Sequence, residues 1–167
     1  MNQPDFFIEI FLQPGDFYWG DKDTRIRTLL GSCISISFWH PQKLEGGMCH
    51  FMLPSRPDTG EGGLNGRYAD EAFLMFFSEM NKNGTRPDEY EIKMFGGSNM
   101  FSGLPQKQEG IIGERNIQAA RELLDRYHLK LTSQDVGSTL HRRIYFDLWD
   151  GSVWVKKAKT PINENIL

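Results

Sequence analysis

Cysteine is scarce in this chain: two residues, Cys33 and Cys49, among 167. Two thiols do not make a disulfide scaffold, and a reducing cytoplasm is the compartment to expect. No C-x2-C pair is present, so the usual ligand spacing of a structural zinc site is missing. No apolar run approaches the ~18 residues that would suggest a membrane-spanning helix. The N-terminus has no basic n-region, and Asp5 and Glu9 interrupt its apolar residues, so no signal peptide is expected. Neither sign of charge dominates: 19 basic residues less 22 acidic gives −3. That is too mild for a nucleic-acid partner or an anionic membrane surface. Repeats and low-complexity tracts are absent. The glycines from Gly60 to Gly66 are not followed by G-K-[ST], which excludes a phosphate loop. Nothing in the chain asks for a metal or a cofactor.

What is present is an ordinary globular composition, 39% hydrophobic and 25% charged, in a length that suits one domain with a real core. The expectation is a single domain over 1–167, with an arm at about 1–13 and a loose tail at about 157–167. Phe6 to Leu12 reads as a strand or an extended arm, turned by Pro14-Gly15-Asp16. Phe17-Tyr18-Trp19 and Arg25 to Leu30 follow as short strand-like runs. The clearest helix runs from about Arg67 to Asn83, where Ala69, Ala72, Phe73, Phe76, Phe77 and Met80 recur at helical spacing. Asn65 is placed to cap its start and Gly84 its end. Tyr90 to Phe95 alternates as a strand and ends in Gly96-Gly97. Residues 102–111 read as a loop, and a second helix is predicted from about Glu114 to Tyr127, with Glu122 and Arg126 paired. Later strands lie at Leu129 to Asp135, Arg143 to Leu148 and Ser152 to Val155, with Asp150-Gly151 as a type I′ turn. About eight strands and two apolar helices predict an α/β layered domain with a mixed, mostly antiparallel sheet.

The most informative stretch is Thr28 to Pro54. Cys33 to Trp39 alternates small-polar and apolar residues, the period of a half-buried strand. His40 to Lys43 is turn-like, and Gly47 to Leu53 is a second extended run, so the two form an antiparallel hairpin. With the turn centred between Pro41 and Gln42, Cys33 lies opposite His50. A register slip of two leaves them diagonal on the same face, with Cβ atoms roughly 5–8 Å apart in either case. A slip of one separates them. Cys49 falls on the opposite face.

A thiol beside an imidazole has three readings. Cys33 is a small buried hydrophobe; or Cys33, Cys49, His40 and His50 hold zinc, against which alternation points the two thiols apart; or Cys33 is a nucleophile with His50 as its base. Gly31-Ser32, just before Cys33, allows a tight turn whose N–H groups are available to an oxyanion. The Ser55 to Gly66 segment reads as a lid over the site or a flexible connector.

The sequence L-G-S-C, then an alternating strand, then G-G-M-x-H-F-M-L-P, resembles the CheD family, the chemoreceptor glutamine deamidases of bacterial chemotaxis. Met94 to Phe101 is similar to its F-G-G-x-x-M-F segment, and Ile112 to Asn116 to its I-G-x-x-N helix start. Asp135-Val136-Gly137, Arg142 and Gly151 to Val155 also fit, so the likeness covers roughly residues 14–157. Ser138 and His141 stand where the family usually has glycine. The resemblance implies an α/β/α sandwich, with Cys33 as nucleophile, His50 as base and Thr28 as the nearest match to a supporting threonine. It suggests Gly96 and Gly97 as a wall of the site, with Gly31 and Ser32 beside the nucleophile. It implies deamidation of glutamine to glutamate on the cytoplasmic helices of chemoreceptors, through a thioester and with release of ammonia. The phosphatase CheC is implied as a partner. A second function class is a non-catalytic module that binds chemoreceptors or a CheC-type phosphatase; a cysteine peptidase is a third.

Overall fold

A computed structural model describes residues 3–57, 62–100 and 108–159. Nine strands and two α-helices lie among these: β1 (Ile8–Leu12), β2 (Phe17–Gly20), β3 (Thr24–Leu30), β4 (Ile34–His40), β5 (Glu45–Cys49), α1 (Ala69–Lys82), β6 (Glu91–Gly96), α2 (Gln108–Arg126), β7 (Ser133–Val136), β8 (His141–Asp147) and β9 (Val153–Ala158). The strands form two sheets, one ordered β1-β3-β8-β9 and the other β2-β5-β4-β6-β7. Only β1–β3 and β6–β7 pair in parallel. The mixed, mostly antiparallel expectation therefore holds, divided over two sheets.

Alternation along each strand explains the division. In β3 every second residue is buried, so one face meets the core and the other faces outward. In β4 every residue is buried, so both faces are covered. One face of the five-stranded sheet carries Ile34, Ile36, Phe38, Cys49 and Met94, which pack with Phe73 and Phe76 of α1 and Ala120, Leu123 and Leu124 of α2. Each fully buried phenylalanine contributes on the order of 1.5–3 kcal/mol. The other face carries Trp39, Met48 and Phe95, packed with Ile26, Leu30, Ile144 and Phe146 of the four-stranded sheet. The layers thus run helices, five-stranded sheet, four-stranded sheet. The α/β layered class stands, and its third layer is a second sheet where the resemblance implied helices.

Ser35 and Ser37 suggested a solvent-facing side for β4, but both are buried, 0% and 1% exposed. Their small side chains lie on the face that carries Trp39, the one covered by the second sheet. The hairpin loop spans residues 41–44, with His40 opposite Glu45 and Leu44 at φ 52. The turn therefore centres one residue later than predicted. α2 begins at Gln108, six residues earlier than expected, and Gly113 within it serves a close contact. A Cβ on Gly113 would come within 2.6 Å of both Gly97 O and Ser98 O.

α1 starts at Ala69 without a side-chain cap. Asn65 instead accepts the Arg67 N–H, while Gly84, at φ 66, ends the helix as expected. Glu122 accepts a bond from Gln118. The β8–β9 connection occupies residues 148–152, closed by Asp147 N–H to Ser152 O at 2.9 Å. It is not a two-residue turn, and Gly151 lacks a Cβ where the Trp39 ring packs against it. Ile8–Leu12 of the expected arm is strand β1, and β9 runs through Ala158. The lid segment's residues 58–61, most of the 102–111 loop, and residues 160–167 of the tail lie outside the described residues.

Candidate active site

Cys33 sits where the chain crosses from β3 of one sheet to β4 of the other, just before Ile34. The hairpin pairs Ser37 with Met48 and Ile34 with Phe51. Continuing that register puts Met52 across from Cys33 and Ser35 across from His50. Cys33 and His50 are then diagonal neighbours rather than directly opposed. The shift from the predicted register is two residues, so the face is preserved. Cys33 packs with the inter-sheet core, while Cys49 lies in the helix-side core. The two thiols thus face opposite sides of one sheet. No hydrogen bond links the Cys33 thiol to the His50 ring among the described residues.

His50 is held on three sides. Its backbone N–H donates to Asp16 O at 3.1 Å, and its carbonyl accepts from Gly15 N–H at 2.8 Å. Gly15 adopts φ 91, so the Pro14-Gly15-Asp16 turn clamps the strand residue that carries the ring. From the opposite sheet, Thr28 Oγ1 lies 2.7 Å from His50 Nδ1. That same hydroxyl donates to Leu12 O at 2.8 Å. A hydroxyl has one proton to give, so the Thr28 oxygen accepts and the His50 Nδ1–H donates. The neutral ring then carries its proton on Nδ1 and leaves Nε2 as the free base.

Burial sets the resting charges. His50 is 2% exposed, and burial drives its pKa down to about 4, against a smaller opposing pull from Asp16. Burial also pushes the Cys33 thiol up to about 11. Both groups therefore rest neutral at pH 7. An imidazole in this tautomer is chemically equipped to take a thiol proton, provided a ligand brings the two groups together.

The other predicted residues lie close by. Ser32 and Cys33 form the crossing, and neither of their N–H groups bonds a backbone carbonyl among the described residues. Gly97 donates its N–H to Cys33 O at 2.9 Å, so that donor is already taken. Gly96, at φ 107, packs where a Cβ would overlap Cys33 O. This glycine pair braces the Cys33 backbone. Gly31 lies beside Met100 and His141, and its carbonyl accepts the Ser98 N–H at 3.0 Å. Among the described residues, no three His, Cys, Asp or Glu side chains gather to hold a metal.

Two buried polar residues of this neighbourhood escaped the sequence reading. Asn116 Nδ2 donates to Ser32 O and Met52 O. Arg142, 1% exposed, binds Asp135 and donates to Ser98 Oγ at 2.7 Å. Both stand in segments matched to a family pattern, but nothing in their spacing joins them to Cys33.

The family model described as "CheD chemotactic sensory transduction" matches residues 52–157. A protein of Pseudomonas fluorescens named "Probable chemoreceptor glutamine deamidase CheD" is 49% identical over 157 residues, covering 93% of this chain and 88% of that one. One of Leptospira interrogans, "Probable chemoreceptor glutamine deamidase CheD 1", is 48% identical, covering 94% and 97%. One of Dechloromonas aromatica, "Probable chemoreceptor glutamine deamidase CheD 3", is 47% identical, covering 91% and 89%. A layered α/β domain with a thiol and a tautomer-fixed imidazole between its sheets is thus the setting. The chain belongs to the CheD family.

Proposed function

We propose that this protein deamidates glutamine side chains of chemoreceptors in the cytoplasm, using Cys33 as nucleophile and His50 as general base. The relatives' names supply the reaction and the substrate class. The observation that carries the residue roles is the Leu12 O–Thr28 Oγ1–His50 Nδ1 relay, which leaves Nε2 unprotonated on the side of the sheet that Cys33 faces.

Substrate amide enters beside Cys33. His50 Nε2 takes the thiol proton, and the sulfur forms a bond to the amide carbon. The carbonyl π electrons move to oxygen, and the oxyanion is met by the N–H groups of Ser32 and Cys33. Thiolate and imidazolium are each costly when buried alone, and each stabilises the other as they form. Collapse of the tetrahedral intermediate breaks the C–N bond, with the His50 proton going to the leaving ammonia. Water, deprotonated by His50, then attacks the thioester and releases glutamate and the thiol.

Recognition of the substrate rests on surface around the site rather than on groups for a free amino acid. No charged side chain flanks Cys33 within the crossing from Gly31 to Ile34. Remote contacts with a folded helix then position the unreactive amide. A CheC-type phosphatase is the proposed partner for the same surface. Ammonia release measured side by side on free glutamine, a short glutamine peptide and a chemoreceptor cytoplasmic fragment tests this, with Cys33→Ala as blank. Release from the fragment alone is expected. Equal kcat/KM on all three rejects the protein substrate, and tight binding of the fragment without release favours the non-catalytic module.

A further inference from the structure

Asn116 lies on α2 and is completely buried. Its Nδ2 donates to Ser32 O at 3.1 Å and to Met52 O at 2.9 Å. Both partners are carbonyls and can only accept, so the amide cannot be turned round. Among the described residues, its buried Oδ1 has no hydrogen-bond partner. An empty buried acceptor costs about 1–3 kcal/mol, so the two donated bonds have to justify the residue.

Those bonds fall at the level of the nucleophile. The hairpin's own bonds stop at Ile34 and Phe51, which exchange N–H and C=O at 3.1 and 2.9 Å. Just beyond that pair, the Asn116 amide ties both strands: Ser32 O, two residues before Ile34, and Met52 O, one residue after Phe51 and across from Cys33. Ser32 O also belongs to the peptide unit whose N–H is that of Cys33.

A trans peptide is planar, so its C=O and N–H point in opposite directions. The next unit along shows the effect. Cys33 O accepts Gly97 N–H on the β6 side, while Ile34 N–H donates to Phe51 O on the β5 side. In the unit before it, Ser32 O is drawn toward α2. The Cys33 N–H is therefore aimed away from the helices, toward the inter-sheet side that holds the Cys33 thiol and the His50 ring. A bond accepted by the carbonyl also polarises the N–H of the same amide.

We propose that Asn116 is a positioning residue for the deamidation. It orients and strengthens the Cys33 N–H as the donor that meets the oxyanion. This rests on the proposed role of Cys33 as nucleophile.

The test compares deamidation with alkylation. Iodoacetamide reacts with the Cys33 thiol by displacement at saturated carbon, so no oxyanion forms. In folded Asn116→Ala, kcat on a chemoreceptor fragment should fall about 10²–10³-fold, the loss typical of one oxyanion donor. KM and the pH profile of Cys33 alkylation should stay within about threefold, as expected for an interaction made only in the transition state. Asn116→Asp, which sets a carboxylate against two carbonyl oxygens, should lose at least as much. A kcat that survives Asn116→Ala overturns the proposal, as does an alkylation rate that falls in step with kcat. No turnover by the unmutated protein would remove the proposed function with it; turnover insensitive to Asn116 removes this inference alone.

A measurement on the unmutated protein covers variants that fail to fold. A peptide aldehyde with CHO in place of the glutamine carboxamide adds the Cys33 thiol to give a thiohemiacetal. The Cys33 amide proton should then move downfield in the NMR spectrum and become slow to exchange. An unchanged Cys33 amide overturns the proposal.

Discussion

Replacing Thr28 with valine keeps the side chain's shape and removes one hydroxyl. That hydroxyl is fully buried and serves two partners, Leu12 O and His50 Nδ1. Valine leaves both unpaired. At about 1–3 kcal/mol for each buried unsatisfied group, the loss of stability should be about 2–4 kcal/mol once the imidazole has relaxed. The relaxation matters more to chemistry. With no acceptor at Nδ1, the ring has no reason to keep its proton there, and the Nε2–H tautomer presents a donor to the thiol where a base is needed. Turnover should fall by about 10²–10⁴, the usual range for losing a positioned general base. Thr28→Ser keeps the hydroxyl and should recover most of both losses. The assays are the urea unfolding midpoint and kcat for deamidation of a chemoreceptor fragment. A folded Thr28→Val protein with kcat within about threefold of the parent would refute the tautomer argument.

Three further outcomes are expected. The His50 pKa is lowered from 6.5 to about 4 by burial, so the unfolded chain takes up this proton at higher pH than the folded one. The stability due to neutral His50 is fully present above about 6.5 and is lost as pH falls toward 4, by about 3 kcal/mol in all; His50→Gln should flatten that part of a urea-midpoint against pH curve, and an unchanged slope would contradict it. The Cys33 thiol is held up at about 11 and Cys49 at about 12, so iodoacetamide should modify Cys33 slowly at pH 7 and faster toward pH 10, sparing Cys49 in the folded protein; rapid labelling at pH 7 would reveal a preformed ion pair. Gly96→Ala puts a Cβ onto Cys33 O at a backbone φ of 107, so it should cost about 2 kcal/mol or more and disturb turnover more than a surface alanine; a melting temperature equal to the parent's would show that the crossing tolerates the shift.

The hairpin, the face shared by Cys33 and His50, and the opposite face of Cys49 were all legible in the sequence, because period-2 alternation survives a register error of two. The error came from the turn: Leu44 adopts a left-handed conformation that the residue type does not advertise. The second sheet was not legible as a layer. Ser35 and Ser37 read as wet because serine is ordinarily exposed, yet they lie buried between sheets. The start of α2 was hidden because residues 102–111 read as loop and the helix was expected only from about Glu114, whereas Gly113 lies inside it and lets the helix approach the Gly97-Ser98 backbone. Thr28 entered the site through family likeness alone; its bond to His50 joins two sheets, and sequence spacing carries no such information. Asn116 and Arg142 act through backbone carbonyls and a serine of distant segments, which no local pattern encodes.

The central claim is that Cys33 converts receptor glutamine to glutamate. Mass spectrometry of a purified chemoreceptor cytoplasmic domain, incubated with this protein or with Cys33→Ala, tests it most directly. The unmutated protein should add about one dalton at particular glutamines, the difference between an amide and an acid, and Cys33→Ala should add none. A receptor whose mass does not change, or one modified equally by the Cys33→Ala protein, would contradict the account.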